Sequence, residues 1–202
     1  AYNAERNYRP FLQRKIVMSR RASQDVTITL VVSAFLIWFL PLMISTYTLT
    51  VLVIYGMLGL SLGLIWGFGG ILCFGQAAFF GLGAYTYAIT AINIGESTLP
   101  MILAVLVPAV FAALLGAMMF YGRLTDVYLG VITLVVTLIL FKFMNSTAGP
   151  QYAIGNARLG GFNGIPGFQT LNVPGDPSSY IWGDTYFYVC ALALVIVFLL
   201  VT

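Results

Sequence analysis

No Asp, Glu, Lys or Arg occurs between Val26 and Gly95. Inside that uncharged stretch lies Gly67-Phe68-Gly69-Gly70-Ile71-Leu72-Cys73-Phe74-Gly75-Gln76-Ala77-Ala78-Phe79-Phe80-Gly81-Leu82-Gly83. Six glycines in seventeen residues disfavour a continuous helix, because each interior glycine costs about 1 kcal/mol relative to alanine. Hydrocarbon, however, excludes lipid-exposed irregular chain, since it offers no partner for backbone N–H and C=O groups. Both demands are met only if this stretch packs inside protein, lines a wet cavity, or turns at a membrane surface.

A membrane setting follows from composition. Of the 202 residues, 60% are hydrophobic and 7% charged, against about 25% charged in a soluble domain. The fold class expected is an all-α membrane protein, a polytopic transmembrane helix bundle. A crossing helix needs about 20 apolar residues, and six runs qualify: Val26–Ser45, Leu49–Trp66, Gln76–Ile92, Pro100–Tyr121, Val127–Met144, and one starting at Thr185. The Gly-rich break falls between the second and third. Pro108 stands inside the fourth as an expected kink.

Small residues recur at helical spacing on both sides of the break. Gly59, Gly63 and Gly67 share one face of the second run; Ala77, Gly81, Ala84 and Ala88 share one face of the third. Such faces let a second helix backbone approach closely, so Gly59, Gly63, Gly81 and Ala84 are candidate packing positions.

The chain divides into a basic tail, residues 1–25, and a transmembrane region, residues 26–202. Leu12 and Ile16 share a stripe with Phe11 and Lys15, so the tail reads as a short interfacial helix or as a disordered arm. Arg6, Arg9, Arg14, Lys15, Arg20 and Arg21 make up six of the nine Lys and Arg. Placing this tail on the cytoplasmic side of six spans puts Arg123 there too, and leaves Lys142 and Arg158 outside, as the positive-inside rule requires. The segment 145–184, rich in Gly, Pro and Asn, then becomes an extracytoplasmic loop. Its turn residues and apolar side chains point to an ordered cap. Beside a membrane span the basic tail marks topology, and no nucleic-acid partner is expected.

Little chemistry is on offer. There is no histidine, and Cys73 and Cys190 stand far apart among apolar neighbours. No CxxC, HExxH or Walker phosphate loop occurs, so neither a metal, a cofactor nor a catalytic residue is expected. Glu96, Asp126, Asp176 and Asp184 fall in loops or at span ends. Proton-coupled transporters place ionisable groups within the membrane, which weighs against a secondary transporter; a channel has neither a carbonyl-filter run nor a charged ring to use. The Gly break has two readings. One is a discontinuous helix whose start near Gln76 presents free N–H groups to a substrate path. The other is a tight cytoplasmic turn.

The run from Leu60 to Tyr85 resembles the signature of LivM-type permeases, membrane subunits of ABC importers for branched-chain amino acids, amides and urea. Members of that family show G-x-x-G-x-[LI]-S-[LF]-G-[HQ]-A-A-F-F-G-[IL]-G-A-Y; here Cys73 stands where Ser is usual, and Gln76 replaces the more frequent His. Asp126-Val127-Tyr128-Leu129-Gly130-Val131-Ile132-Thr133-Leu134 and Asn163-Gly164-Ile165-Pro166 resemble two later family segments.

The resemblance implies a sister permease of LivH type, cytoplasmic ATP-binding subunits and an extracytoplasmic substrate-binding protein, in a bacterial inner membrane. It implies ATP hydrolysis on those other subunits, and a longer permease of which this chain is an N-terminal portion. The expected substrate path involves Gly67, Gly69, Gly70, Gly75, Gln76 and Phe79. Arg158, Asn163 and Asp176 are the expected docking positions for the binding protein. Branched-chain amino acids are the expected substrate, with urea or short amides as the alternative.

Overall fold

A computed structural model of the chain describes residues 26–201, apart from Thr29, Gln169, Pro174, Gly175 and Trp182. The basic tail and its interfacial-helix reading lie outside the described residues.

Six helices follow one another: α1 Val26–Met43, α2 Thr46–Gly69, α3 Gln76–Ile94, α4 Thr98–Tyr121, α5 Asp126–Ser146 and α6 Gly183–Val201. The first five are long and apolar enough to cross a membrane; α6 is apolar as well. Large apolar side chains face outward along them, Trp38 and Val105 each 70% exposed. Helices apolar on every side suit a lipid surround, where packing and hydrogen bonds rather than water exclusion join one helix to another.

Two compact units are formed. One holds α1, α2 as far as Gly56, and α6. Its core is Leu49, Phe187 and Ala191, with Ile37, Leu40 and Val53 packed against them, and Thr46 donates a hydrogen bond to the Asp184 carboxylate across 2.7 Å.

The other unit runs from Met57 to Trp182, and its most extensive helix pair is α3 on α4. A Cβ at Gly83 would lie 2.9 Å from the Ala104 carbonyl oxygen and 3.4 Å from the Pro108 ring, so only glycine permits this approach. Pro108 lies inside α4; Pro100, within the first turn of that helix, displaces no intrahelical N–H bond. Further along, Leu115 and Met119 of α4 meet Leu129 of α5, with Ile71 and Phe79 against them. Gly95, at φ +80°, closes α3 by donating its N–H to Ala91.

The long loop is folded. An antiparallel hairpin joins β1 (Ala153–Ile154) to β2 (Ala157–Arg158), and a 3-10 turn, η1, covers Gly161–Asn163. A second hairpin joins β3 (Asn172–Val173) to β4 (Asp176–Tyr180). Two side chains clamp this cap to α3 and its exit. Asn93 donates to the Ile154 carbonyl (2.9 Å) and accepts the Asn156 N–H (2.8 Å). Buried Ser97 and Asn172 bond reciprocally through side chain and backbone.

Candidate functional site

The Gly-rich stretch splits as its composition requires. Gly67 and Gly69 are the exposed last turn of α2. Gly70 reverses the chain at φ +66°, a left-handed conformation that favours glycine. Residues 70–75 are then non-helical, and α3 starts at Gln76 behind buried Gly75.

The height at which α3 starts follows from its contacts. The Phe74 N–H donates to Thr133 Oγ1 (3.1 Å), and Thr137 Oγ1 donates to the Phe74 carbonyl (3.2 Å). At 1.5 Å per residue, these threonines stand about 10 and 16 Å from the Asp126 end of α5. Ser61, which donates to Gln76 Oε1 across 3.1 Å, likewise stands about 12 Å back from the end of α2. The segment therefore climbs alongside α5, and α3 begins about half-way along a helix long enough to cross the membrane.

The break is a turn at Gly70 followed by an ascent beside α5, and α3 starts about half-way along that helix. Gly130 makes this possible: a Cβ there would sit 3.1 Å from the Leu72 carbonyl oxygen. At Gly75 a Cβ would meet the Phe79 ring at 2.9 Å, Cys73 Sγ at 3.5 Å and Thr133 at 3.5 Å.

Above this start, α3 and α5 diverge around a cavity of about 350 Å³. Ala77, Gly81 and Tyr85 line it from α3; Thr137, Phe141 and Asn145 line it from α5. Phe162 and Asn163 of η1 form its roof, held by a long contact of 3.5 Å from the Tyr85 hydroxyl to the Gly161 carbonyl. The lining is mainly apolar, with hydroxyl and amide groups and no ionisable acid or base other than the tyrosine phenol. Among the described residues no three His, Cys, Asp or Glu side chains gather into a metal site.

Of the path residues expected from sequence, none lines the cavity; the lining begins one residue later, at Ala77. Phe79 turns the other way, edge-on to Phe111 of α4 at 6.1 Å. The Gln76 carboxamide accepts from Ser61, while its Nε2 is buried with no partner among the described residues. Of the packing positions, Gly59, Gly63 and Gly81 have nothing within 4 Å of a Cβ built there, and Ala84 is exposed. The close approach expected at them is instead made by Gly83, one register step away and facing α4. Of the docking positions, Arg158, Asn163 and Asp176 are all exposed on the cap. The Asp176 carboxyl is held below the usual carboxylate range by hydrogen bonds from the Ser178 hydroxyl and N–H.

Residues 44–202 match the model of a family described as branched-chain amino acid transport system / permease component. The chain belongs to that family. No curated protein and no solved structure matches it. In this permease, the Gly-rich stretch touches both of the other family-like segments: Phe74 bonds Thr133 of α5, and Ala77 and Tyr85 share the cavity lining with Asn163 and Gly164. Thr133 and Thr137 were passed over because a threonine on an apolar helix commonly bonds only its own backbone. Both do that as well, Thr133 to Gly130 (2.9 Å) and Thr137 to Thr133 (2.8 Å). The available signal was their four-residue spacing, which sets two hydroxyls on one face of α5.

Proposed function

We propose that the chain is a LivM-type membrane subunit of an ATP-driven importer, and that branched-chain amino acids pass beside the start of α3. The observation that carries this is the cavity between α3 and α5. It is roomy, mainly apolar, and lined by no Asp, Glu, Lys, Arg or His that could couple passage to a proton. A passage without such groups draws its energy from elsewhere, here from ATP hydrolysed on separate cytoplasmic subunits. The chain itself has no role as an enzyme in this reading.

A sister permease of LivH type would complete the passage, and a substrate-binding protein would dock on the cap around Arg158, Asn163 and Asp176. The lopsided tail cations favour an N-terminus in the cytoplasm and the cap on the other side; in this reading the membrane is a bacterial inner membrane. The amides of Asn145 and Asn163, both on the cavity lining, keep urea and short amides as the second substrate reading.

The test is uptake of labelled leucine and of urea by cells carrying the permease with its partners. One arm depletes ATP; the other collapses the proton gradient at constant ATP. Loss in the ATP arm alone supports the importer, and the better-transported label names the substrate class. Loss in the gradient arm alone overturns it.

A further inference from the structure

We propose that Thr133 and Thr137 are positioning residues, a two-hydroxyl latch that fixes the height of the α3 start and thereby the floor of the transport cavity. The proposal rests on the permease reading for its transport consequence only. Its geometry stands on the backbone of one residue, Phe74, through the two peptide groups that flank it. The N–H of Phe74 is taken by Thr133 Oγ1, and its carbonyl is taken by Thr137 Oγ1. No other hydrogen bond ties the segment Ile71–Phe74 to the rest of the described chain. The latch is therefore the polar attachment of this non-helical segment, and a broken bond there leaves a backbone group without its partner.

The two hydroxyls are not equivalent. Thr133 is buried, 3% exposed, and fully used: it donates to Gly130 while accepting from Phe74. Thr137 has one proton for two acceptors, the Phe74 and Thr133 carbonyls, and it also lines the cavity. Thr133 is the fixed jaw, and Thr137 is the jaw that a cavity occupant reaches. Valine at either place keeps the shape and deletes the hydroxyl; serine keeps the hydroxyl and deletes a methyl.

The assembled transporter in cells supplies the test. Thr133→Val is expected to lower the maximal rate of leucine uptake by about tenfold at unchanged amount in the membrane, the loss that goes with one buried N–H left without a partner. Thr137→Val is expected to cost less, about threefold, since its one proton is already shared between the Phe74 and Thr133 carbonyls. Thr133→Ser should restore the rate. Thr86→Val is the control: its hydroxyl bonds only Leu82 of its own helix, so it should transport normally.

A second readout follows the position itself. Ala77→Cys, at the first turn of α3, is labelled with a membrane-impermeant maleimide over the background of Cys73 and Cys190. Removing the Thr133 hydroxyl should change that labelling severalfold, and Thr133→Ser should return it. Normal transport by Thr133→Val, failure of serine to rescue, or identical labelling at position 77 would each overturn the latch. If neither leucine nor urea were imported but labelling still followed the hydroxyl, the importer reading would fall and the latch would stand.

Discussion

The permease carries two glycine-rich stretches, one from the end of α2 into α3 (residues 67–83) and one in the cap (residues 155–167), and they use glycine for different reasons. In the cap, five glycines have positive φ, and the chain turns back on itself in hairpin and 3-10 turn. In the stretch 67–83 only Gly70 does so. There, glycine matters chiefly for the missing Cβ, as at Gly75 and Gly83, where a side chain would collide with neighbouring chain. The cap meets its own hydrogen-bonding needs through hairpins and the Asn93 and Ser97 clamps. The break takes two hydroxyls from α5 for the Phe74 N–H and carbonyl. Glycine density alone does not separate these uses; the φ angles and the space around each Cβ do.

That contrast breaks or sharpens under substitution. The largest effect is expected at Gly83→Val, which would force the α3 and α4 backbones apart and cost about 2–3 kcal/mol by overpacking; thermal unfolding of the purified protein in detergent measures it. Gly161→Ala comes next. It combines φ +57° with a Cβ that would run into Ala148, for about 1–2 kcal/mol of local strain. Its mark should be faster proteolysis of the cap from outside, with the helices left intact. A cap as resistant as wild type would show that its glycines are not needed for their left-handed backbone.

Gly59→Ala and Gly63→Ala should lie within about 0.5 kcal/mol in the isolated chain, since both face open space. A larger loss seen only in the assembled transporter would assign that face of α2 to another subunit. The smallest effect concerns pH. Folding favours ionised Asp176, whose carboxyl lies below its ordinary range. Its small contribution is therefore present above the ordinary Asp value and is lost as pH falls through the lowered one. The Ser178 amide resonance should titrate with a midpoint below that of a free aspartate, and Asp176→Ala should abolish the titration.

Much of this fold was legible in the sequence because lipid makes simple demands. Runs of about 20 apolar residues became α1 to α5 with ends shifted by a few residues, and turn chemistry marked the cap as ordered. The break at Gly67–Gly75 was legible as a break. Its height was not, because height depends on which hydroxyl across the bundle accepts the Phe74 N–H, a pairing separated by 59 residues. The role of Gly83 was not legible for a related reason. Periodicity marks a face of small residues, but the position of α4 decides which side of α3 is approached, and Gly83 lies beside that face. The residues expected along the path do not line the cavity, and Phe79 packs against Phe111 instead.

The central claim is that α3 starts half-way along α5, and proximity measures it most directly. Cysteines at Phe74 and Thr137 would be paired in one Cys73→Ser, Cys190→Ser variant, and cysteines at Phe74 and Asp126 in another. Each would be treated with a short bifunctional thiol reagent in native membranes. The account requires cross-linking of 74 to 137 and none of 74 to 126. Cross-linking to 126 without 137 would put the break at the end of α5, return it to a simple surface turn, and contradict the account.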